Sequence, residues 1–433
     1  MTPGEVAAIL FTIFGVLVIV RVPVSFALGI ACVPVFFIDQ RLTPFLLLNE
    51  MFKSYNSFVL LAVPFFLLAA NLMNSSGITE RLVQLSQTMV GHLPGGLAHI
   101  NVVVSMLFAG ISGSSTADAA GIGSLLIPAM QKQGYDTSFS VAITACSSVM
   151  GVIIPPSILM VVWGGLMSVS IGGLFLAGFI PGVLIALSMM GTVLIYAKVR
   201  HYPIYTRATF QEFVSSLGGA SFALLTPAII VGGIVGGLFT PTEASVVAVV
   251  YTFIVGLFIY RSISVKDIPK ILYDSARFAA ISLFCVGTAS AFGWILAYFQ
   301  IPRALVGVIE NWGAGLLGTG FICAGAFLII GMFIDAIPAI IILGTILWPV
   351  AQNVGMHPVH FAIIGVISLA FGLVTPPYGL CLLIACALGK IKLVDALKDV
   401  AVILIPMLLV LIFVILFPDV ILFLPRLFMS KFM

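Results

Sequence analysis

The chain has 433 residues, 61% of them hydrophobic and only 8% charged, with a formal net charge of +3 at pH 7. Soluble domains carry about 25% charged residues, so water cannot solvate most of this surface, and a soluble enzyme is excluded. The few cations are scattered rather than clustered, which excludes a nucleic-acid interface.

Apolar stretches long enough to cross a hydrocarbon core of ~30 Å recur from end to end. The first, 4–20, follows Glu5 and has neither a basic flank nor a small-residue cleavage site, so it reads as a retained span rather than a signal peptide. Crossings are predicted next at 23–40 and 57–75. The stretch 98–130 has a middle rich in Gly and Ser and reads as a re-entrant helical hairpin. Crossings at 137–168 and 171–197 close a first half, 1–214. The second half, 215–433, repeats the plan with crossings at 215–237, 241–260 and 278–299, a second hairpin at 321–352, and crossings at 357–388 and 400–424.

Basic residues test this layout, because they concentrate on the cytoplasmic side. With the N-terminus outside and both hairpins returning to the side they entered, Arg41, Lys53, Arg303, Arg426 and Lys431 fall outside, and the remaining thirteen of 18 fall inside. Cys32, Cys146, Cys285, Cys323, Cys381 and Cys386 lie within apolar runs without CxxC spacing and read as small hydrophobes. The five histidines sit mostly near span ends, where interface roles suit them better than haem ligation. No G-x-x-x-x-G-K-[ST] phosphate loop occurs, so no ATP hydrolysis through one is expected and a gradient must supply energy.

A shift of 221 residues aligns Leu107–Pro156 with Leu328–Pro377 without a gap. The coincidences include Gly110/Gly331, Gly123/Gly344, Pro128/Pro349, Gly134/Gly355, Gly151/Gly372, Pro155/Pro376 and Pro156/Pro377. Gly and Pro dictate backbone shape, so such matches mean more than shared hydrophobicity. Five crossings per half force the second half to be inverted. Inverted repeats with interruptions at matching places point to a transporter with its site near the midplane. The fold class is therefore an all-α polytopic membrane protein of two inverted repeats, each with a re-entrant hairpin and a Pro-Pro-broken helix.

The first tip, Gly110-Ile111-Ser112-Gly113-Ser114-Ser115-Thr116-Ala117-Asp118, leaves backbone groups that lipid cannot satisfy and is tolerated only where it lines a cavity or is buried in protein. Its hydroxyls and carbonyls suit a hard cation, and the helix start beyond it suits an anion. Close helix packing by small residues is the alternative reading. In the second tip Asp335 falls where Ser114 falls in the first. An intramembrane carboxylate is a functional candidate by default, the alternative being a cap on the next helix. The breaks at Pro155-Pro156 and Pro376-Pro377 free upstream carbonyls, which with Ser147, Ser148 or Thr375 suit a sodium shell facing each tip. Thr240-Pro241-Thr242-Glu243 reads as a capping box, a structural feature.

The first tip running on to Pro128 and Gly134-Tyr135, together with Arg21-Val22-Pro23, Pro241-Thr242-Glu243-Ala244, Pro155-Pro156 and Thr375-Pro376-Pro377-Tyr378-Gly379, resembles the large membrane subunit of TRAP (tripartite ATP-independent periplasmic) transporters over nearly the whole chain. The resemblance implies a scaffold plus an elevator-type transport domain in a bacterial inner membrane, with a periplasmic N-terminus expected from the charge pattern. It implies sodium-gradient-driven uptake of an organic acid, a C4-dicarboxylate or sialic acid (N-acetylneuraminate), with Na+ as coupling ion and neither ATP nor haem. The implied partners are a periplasmic solute-binding protein and a small four-helix membrane subunit, expected as a separate chain because this one starts at its first span. On that pattern one sodium lies among Ser112, Ser115, Ser148 and Gly151, and another among Gly331, Asp335, Gly372 and Thr375. The substrate is expected near Ser114, Thr116, Asp118 and Tyr378. A stand-alone sodium- or proton-coupled anion carrier without a binding protein is the alternative.

Overall fold

The computed structural model describes residues 3–39, 41–311 and 313–429, and among them every regular element is helical. Lys431, counted above with the outer basic residues, lies outside the described residues. In chain order the first half holds α1 (Pro3–Ile19), α2 (Val24–Cys32), α3 (Val35–Ile38), α4 (Pro44–Tyr55), α5 (Ala62–Ser75), α6 (Ile78–Val90), α7 (Gly96–Ser112), α8 (Ser115–Lys132), α9 (Thr137–Ser148), α10 (Ile158–Met167) and α11 (Ile171–Arg200). The second holds α12 (Phe210–Val235), α13 (Pro241–Ile254), α14 (Ile268–Tyr298), α15 (Ile301–Asn311), α16 (Leu316–Gly331), α17 (Ala336–Ala339), α18 (Thr345–Asn353), α19 (Pro358–Gly372), α20 (Leu380–Gly389), α21 (Leu393–Leu416) and α22 (Pro418–Phe428). Among the described residues seven helical stretches are long and apolar enough to cross a membrane.

The 221-residue offset carries the bounds of α7 onto α16, α8 onto α17–α18, α9 onto α19, α10 onto α20 and α11 onto α21, each within a few residues. Between α17 and α18 the second hairpin passes through a π-helical turn, Ile340–Gly344, where α8 stays regular. The corners after the two hairpins turn at Gly134 (φ +83°) and Gly355 (φ +74°), the left-handed region that a Cβ disfavours, so the Gly134/Gly355 coincidence has a backbone cause. The Pro155-Pro156 and Pro376-Pro377 peptide bonds are both cis.

Neither arm of the first hairpin spans a bilayer comfortably. α7 has 17 residues and α8 has 18, and at 1.5 Å per residue each is ~25–27 Å long against a core of ~30 Å. The expected spans 137–168 and 357–388 divide into α9 and α10, and into α19 and α20, on either side of their proline pairs. The stretch 400–424 also divides. Pro418 disfavours helical backbone at Phe417, whose φ/ψ of −123°/68° ends α21, and α22 starts afresh. The Thr240–Glu243 capping box forms as expected, Glu243 N donating to Thr240 Oγ1 (3.3 Å) and Thr240 N to Glu243 Oε2 (2.8 Å). A second box, Thr209 with Glu212, starts α12. The short helices α4, α6 and α15 are not foreseen, because an amphipathic surface helix leaves no long apolar run.

Two packing groups result. Helices α1, α2, α4, α5, α12, α13 and α14 pack on one another, and α7–α11 pack with α16–α22. The groups meet directly where α7 packs on α5 and α12 and α14 packs on α17 and α18; α6 also lies against both α7 and α12, and α15 against both α1 and α18. Within the hairpin-bearing group α7 and α9 are joined by a buried polar ladder. Asn101 Nδ2 donates to Thr144 Oγ1 (2.6 Å), Ser147 Oγ to Asn101 Oδ1 (3.1 Å) and Ser105 Oγ to Ser147 Oγ (2.8 Å). Satisfied networks of this kind fix the register of helices whose apolar surfaces would otherwise slide.

Candidate functional site

Each hairpin tip is hydrogen-bonded to the break in its own half. Gly113 ends α7 with φ +64°, and its carbonyl accepts from Ile158 N, just past the first proline pair (3.2 Å). The Met332 carbonyl accepts from Tyr378 N, just past the second (3.0 Å). The freed backbone groups of the breaks thus meet the tips, as membrane-depth irregular backbone must.

Beside the first tip, Ser112 Oγ donates to Asp118 Oδ1 in a short hydrogen bond, and Ser115 Oγ donates to the Val149 carbonyl (3.3 Å) on the turn between α9 and the break. Asp118 is fully buried, and its Oδ2 has no hydrogen-bond partner. That oxygen lies over Gly151, where an added Cβ would stand 2.5 Å from it. Four groups therefore converge: Ser112, Ser115, Gly151 and Asp118. Ser148 is buried at the end of α9, its hydroxyl donating to the Ala145 carbonyl (2.7 Å), while Ser147 turns away into the polar ladder. Asp118, read in the sequence with the substrate residues, faces this cradle and does not line the cavity described below.

The second cradle is built differently. Gly331 and Gly372 touch backbone to backbone, a Cβ on Gly372 falling 2.5 Å from the Gly331 carbonyl carbon. Thr375 Oγ1 donates to the Phe371 carbonyl (2.7 Å). Asp335 Oδ1 accepts from Ala336 N (2.8 Å), so this carboxylate does cap the helix after the tip. It also lines the cavity, so the capping reading and the site reading describe the same group.

That cavity, of about 930 Å³, is shared by both tips: Ser114, Ser115 and Thr116 line it from the first, Asp335, Ala336 and Ile337 from the second. Ser114 Oγ and Thr116 Oγ1 are 3.2 Å apart. Tyr378 meets the second tip through its backbone N–H, and its side chain is outside the lining and 42% exposed. Asn71, Asn74, Thr79, Glu80, Ser124 and Ser282 line the cavity too and were not singled out in the sequence. The available signal was a pair of asparagines three residues apart inside the apolar run 57–75. Among the described residues no group of three or more His, Cys, Asp or Glu is arranged to hold a metal ion. The cradles instead present hydroxyls, carbonyls and a single carboxylate each, the donor set of a hard, weakly held cation.

Two helical hairpins whose tips line one cavity in an all-helical, multi-span chain define a membrane transport protein rather than an enzyme. The chain belongs to the DctM component family of tripartite ATP-independent periplasmic transporters, whose sequence model matches residues 11–420. It is 37% identical over 382 residues to the sialic acid TRAP transporter large permease protein SiaM of Vibrio cholerae, covering 88% of this chain and 90% of that one. It is 37% identical over 344 residues to the C4-dicarboxylate TRAP transporter large permease protein DctM of Pseudomonas aeruginosa, covering 79% and 81%. The YdaH transporter of Alcanivorax borkumensis shares the fold, with a TM-score of 0.61 at 14% identity over 86% of this chain and 87% of that one.

Proposed function

We propose that this chain is the sodium-coupled permease of a three-part uptake system in a bacterial inner membrane, moving an organic acid delivered by a periplasmic binding protein and working beside a small membrane subunit. The observation that carries the proposal is the unpartnered Asp118 Oδ2, fully buried among Ser112, Ser115 and Gly151. A lone carboxylate oxygen at membrane depth calls for a cation or a proton, and the hydroxyls and carbonyls around this one suit a hard cation.

The residues divide the work. Asp118 with Ser112, Ser115 and the backbone at Gly151 would hold one sodium; Asp335 with Thr375 and the Gly331–Gly372 backbones would hold another. Sodium supplies the positive charge that offsets the two carboxylates. Asp335 lies at the cavity wall, so its neutralisation decides whether an anion is tolerated beside Ser114 and Thr116, and that mutual preference is the whole of the coupling. The α7–α11 and α16–α22 group carries both cradles and both tips, so it is the part that moves, with α1–α5 and α12–α14 as the fixed part and α6 and α15 as the links. Relatives named for sialic acid and for C4-dicarboxylates support a carboxylate as the cargo, beside one named for the sulfonate isethionate.

The test is uptake into proteoliposomes that contain this chain and its small subunit, with binding proteins loaded with radiolabelled carboxylates, with and without an inward sodium gradient. Uptake that needs both sodium and one matched binding protein is the expected result. Uptake independent of any binding protein would overturn the three-part reading in favour of a stand-alone carrier.

A further inference from the structure

The cavity has a second, mixed wall beside the hairpins and outside both cradles. It is built by α5, which presents Leu67, Asn71 and Asn74 at helical spacing, and by α14, which presents Phe278, Ile281 and Ser282. Both helices lie within stretches long and apolar enough to span a membrane, where a polar side chain without a partner is costly unless it faces water or a ligand.

The orientation of one amide on this wall follows from its hydrogen bonds. Ser275 Oγ donates its single proton to the Ile271 carbonyl (2.7 Å), so towards Asn71 it can only accept. The 2.8 Å bond between Asn71 and Ser275 is therefore supplied by Asn71 Nδ2, which leaves Oδ1 as the free acceptor at the cavity. Among the described residues neither the Asn74 amide nor the Ser282 hydroxyl makes a hydrogen bond, although both line the cavity. Asn74 reaches towards α8, its Oδ1 lying 3.3 Å from where a Cβ on Gly121 would stand. Across from it the α8 face is small, with Ala117, Ala120 and Gly121. The charged residues lining the cavity are Glu80 and Asp335; no Lys, Arg or His is among the described residues that line it.

We propose that Asn71, Asn74 and Ser282 form a neutral recognition wall that selects a hydroxylated monocarboxylate, such as a sugar acid, against an unsubstituted dicarboxylate. The inference rests on the carboxylate-permease reading above and narrows its substrate class. The free Asn71 acceptor is matched by a cargo hydroxyl or amide N–H and repels a second carboxylate, which finds on this wall only neutral amide and hydroxyl donors and no cation in reach. Sites built to hydrogen-bond a cargo hydroxyl reject analogues that lack it more strongly than apolar pockets discriminate by size. The carboxylate end stays with the hairpin wall at Ser114 and Thr116, so the two walls read opposite ends of one molecule.

The test is direct binding to the purified large and small subunits at saturating sodium, by titration calorimetry. One set of probes holds sialic acid, gluconate and glucuronate, the other succinate and fumarate. Wild type is expected to bind at least one hydroxylated acid about tenfold or more tighter than either dicarboxylate, roughly the worth of one hydrogen bond left unmade. Asn71→Leu, and Asn74→Ser as a variant that keeps the wall polar, are expected to bring that ratio towards unity by weakening the hydroxylated probe alone. Sodium-dependent thermal stabilisation, a property of the cradles, should stay unchanged in both. Equal or tighter binding of a dicarboxylate by wild type, or an unchanged ratio in the variants, would overturn the recognition wall and leave the permease reading standing. Failure of every probe to bind in sodium would overturn both.

Discussion

The Asp118 carboxylate lies directly over the α-carbon of Gly151, with Oδ2 so close that a methyl group added there would stand 2.5 Å away. The carboxylate cannot simply swing aside, because Ser112 Oγ holds its other oxygen and the chain at Ser114 closes the remaining side, 3.0 Å from the same position. Gly151→Ala therefore displaces Asp118 or the break itself. We expect sodium-driven uptake to fall at least tenfold, with a stability loss of about 1–3 kcal/mol from overpacking. Uptake at several sodium concentrations separates the two effects: a displaced carboxylate raises the sodium requirement, whereas simple destabilisation lowers only the amount of folded protein.

Asp335 combines a backbone role with a charge role, and substitution can part them. Asn is as good an N-cap as Asp, so Asp335→Asn keeps a side-chain oxygen for Ala336 N and removes only the charge. Its thermal stability without sodium should match wild type, while sodium stabilises it less, through the Asp118 cradle alone, and sodium-driven uptake is lost. Asp335→Ala should lose the cap as well, at about 0.5–2 kcal/mol. Sodium-dependent uptake retained by Asp335→Asn would remove the carboxylate from the coupling machinery.

The sequence made the tips and breaks legible because they depend on Gly and Pro, whose backbone demands survive without knowledge of packing. Gly134 and Gly355 show this, both taking left-handed backbone at equivalent corners. The facing of side chains was not legible. Asp118 is four residues beyond Ser114, roughly one helical turn, yet Ser114 lines the cavity while Asp118 turns to Gly151. The turn from the extended cap at Ser114 into α8 decides that, and linear spacing does not record it. Asn71 and Asn74 were visible as polar interruptions, but only the packing of α5 against α14 shows that they face the hairpins.

At the far end of the hairpin-bearing group, Arg200 joins three helices. Its guanidinium bonds Asp399 Oδ1 on α21 (3.1 Å) and Asp136 Oδ2 before α9 (2.7 Å). Tyr196 and Ser138 hydroxyls also donate to Asp399 (2.9 and 2.6 Å). The Asp399 side chain is 5% exposed and that of Asp136 is 54% exposed, which sets the expected order of effects. Arg200→Met strands a buried carboxylate and should cost about 3 kcal/mol. Asp136→Asn breaks a pair that water already screens and should cost less than ~1 kcal/mol. Thermal unfolding of the two variants in detergent gives the comparison, and equal losses would show that the buried half of the pair is not what holds α11 to α21.

His357 starts α19 with its ring, Val359 N donating to Nδ1 (3.2 Å), an arrangement that requires Nδ1 to be unprotonated. Burial, and secondarily the nearby Arg426, hold its pKa below the usual histidine value of 6.5. The unfolded chain therefore binds a proton at higher pH than the folded one, so the cap's contribution is complete above pH ~6.5 and is lost as pH falls through the lower folded value. His357→Asn keeps a good cap without a titrating group. Wild type should lose stability relative to this variant as the pH falls from 7 to 5. Thermal unfolding at the two pH values measures the difference; parallel losses in both proteins would assign the acid sensitivity to groups other than His357.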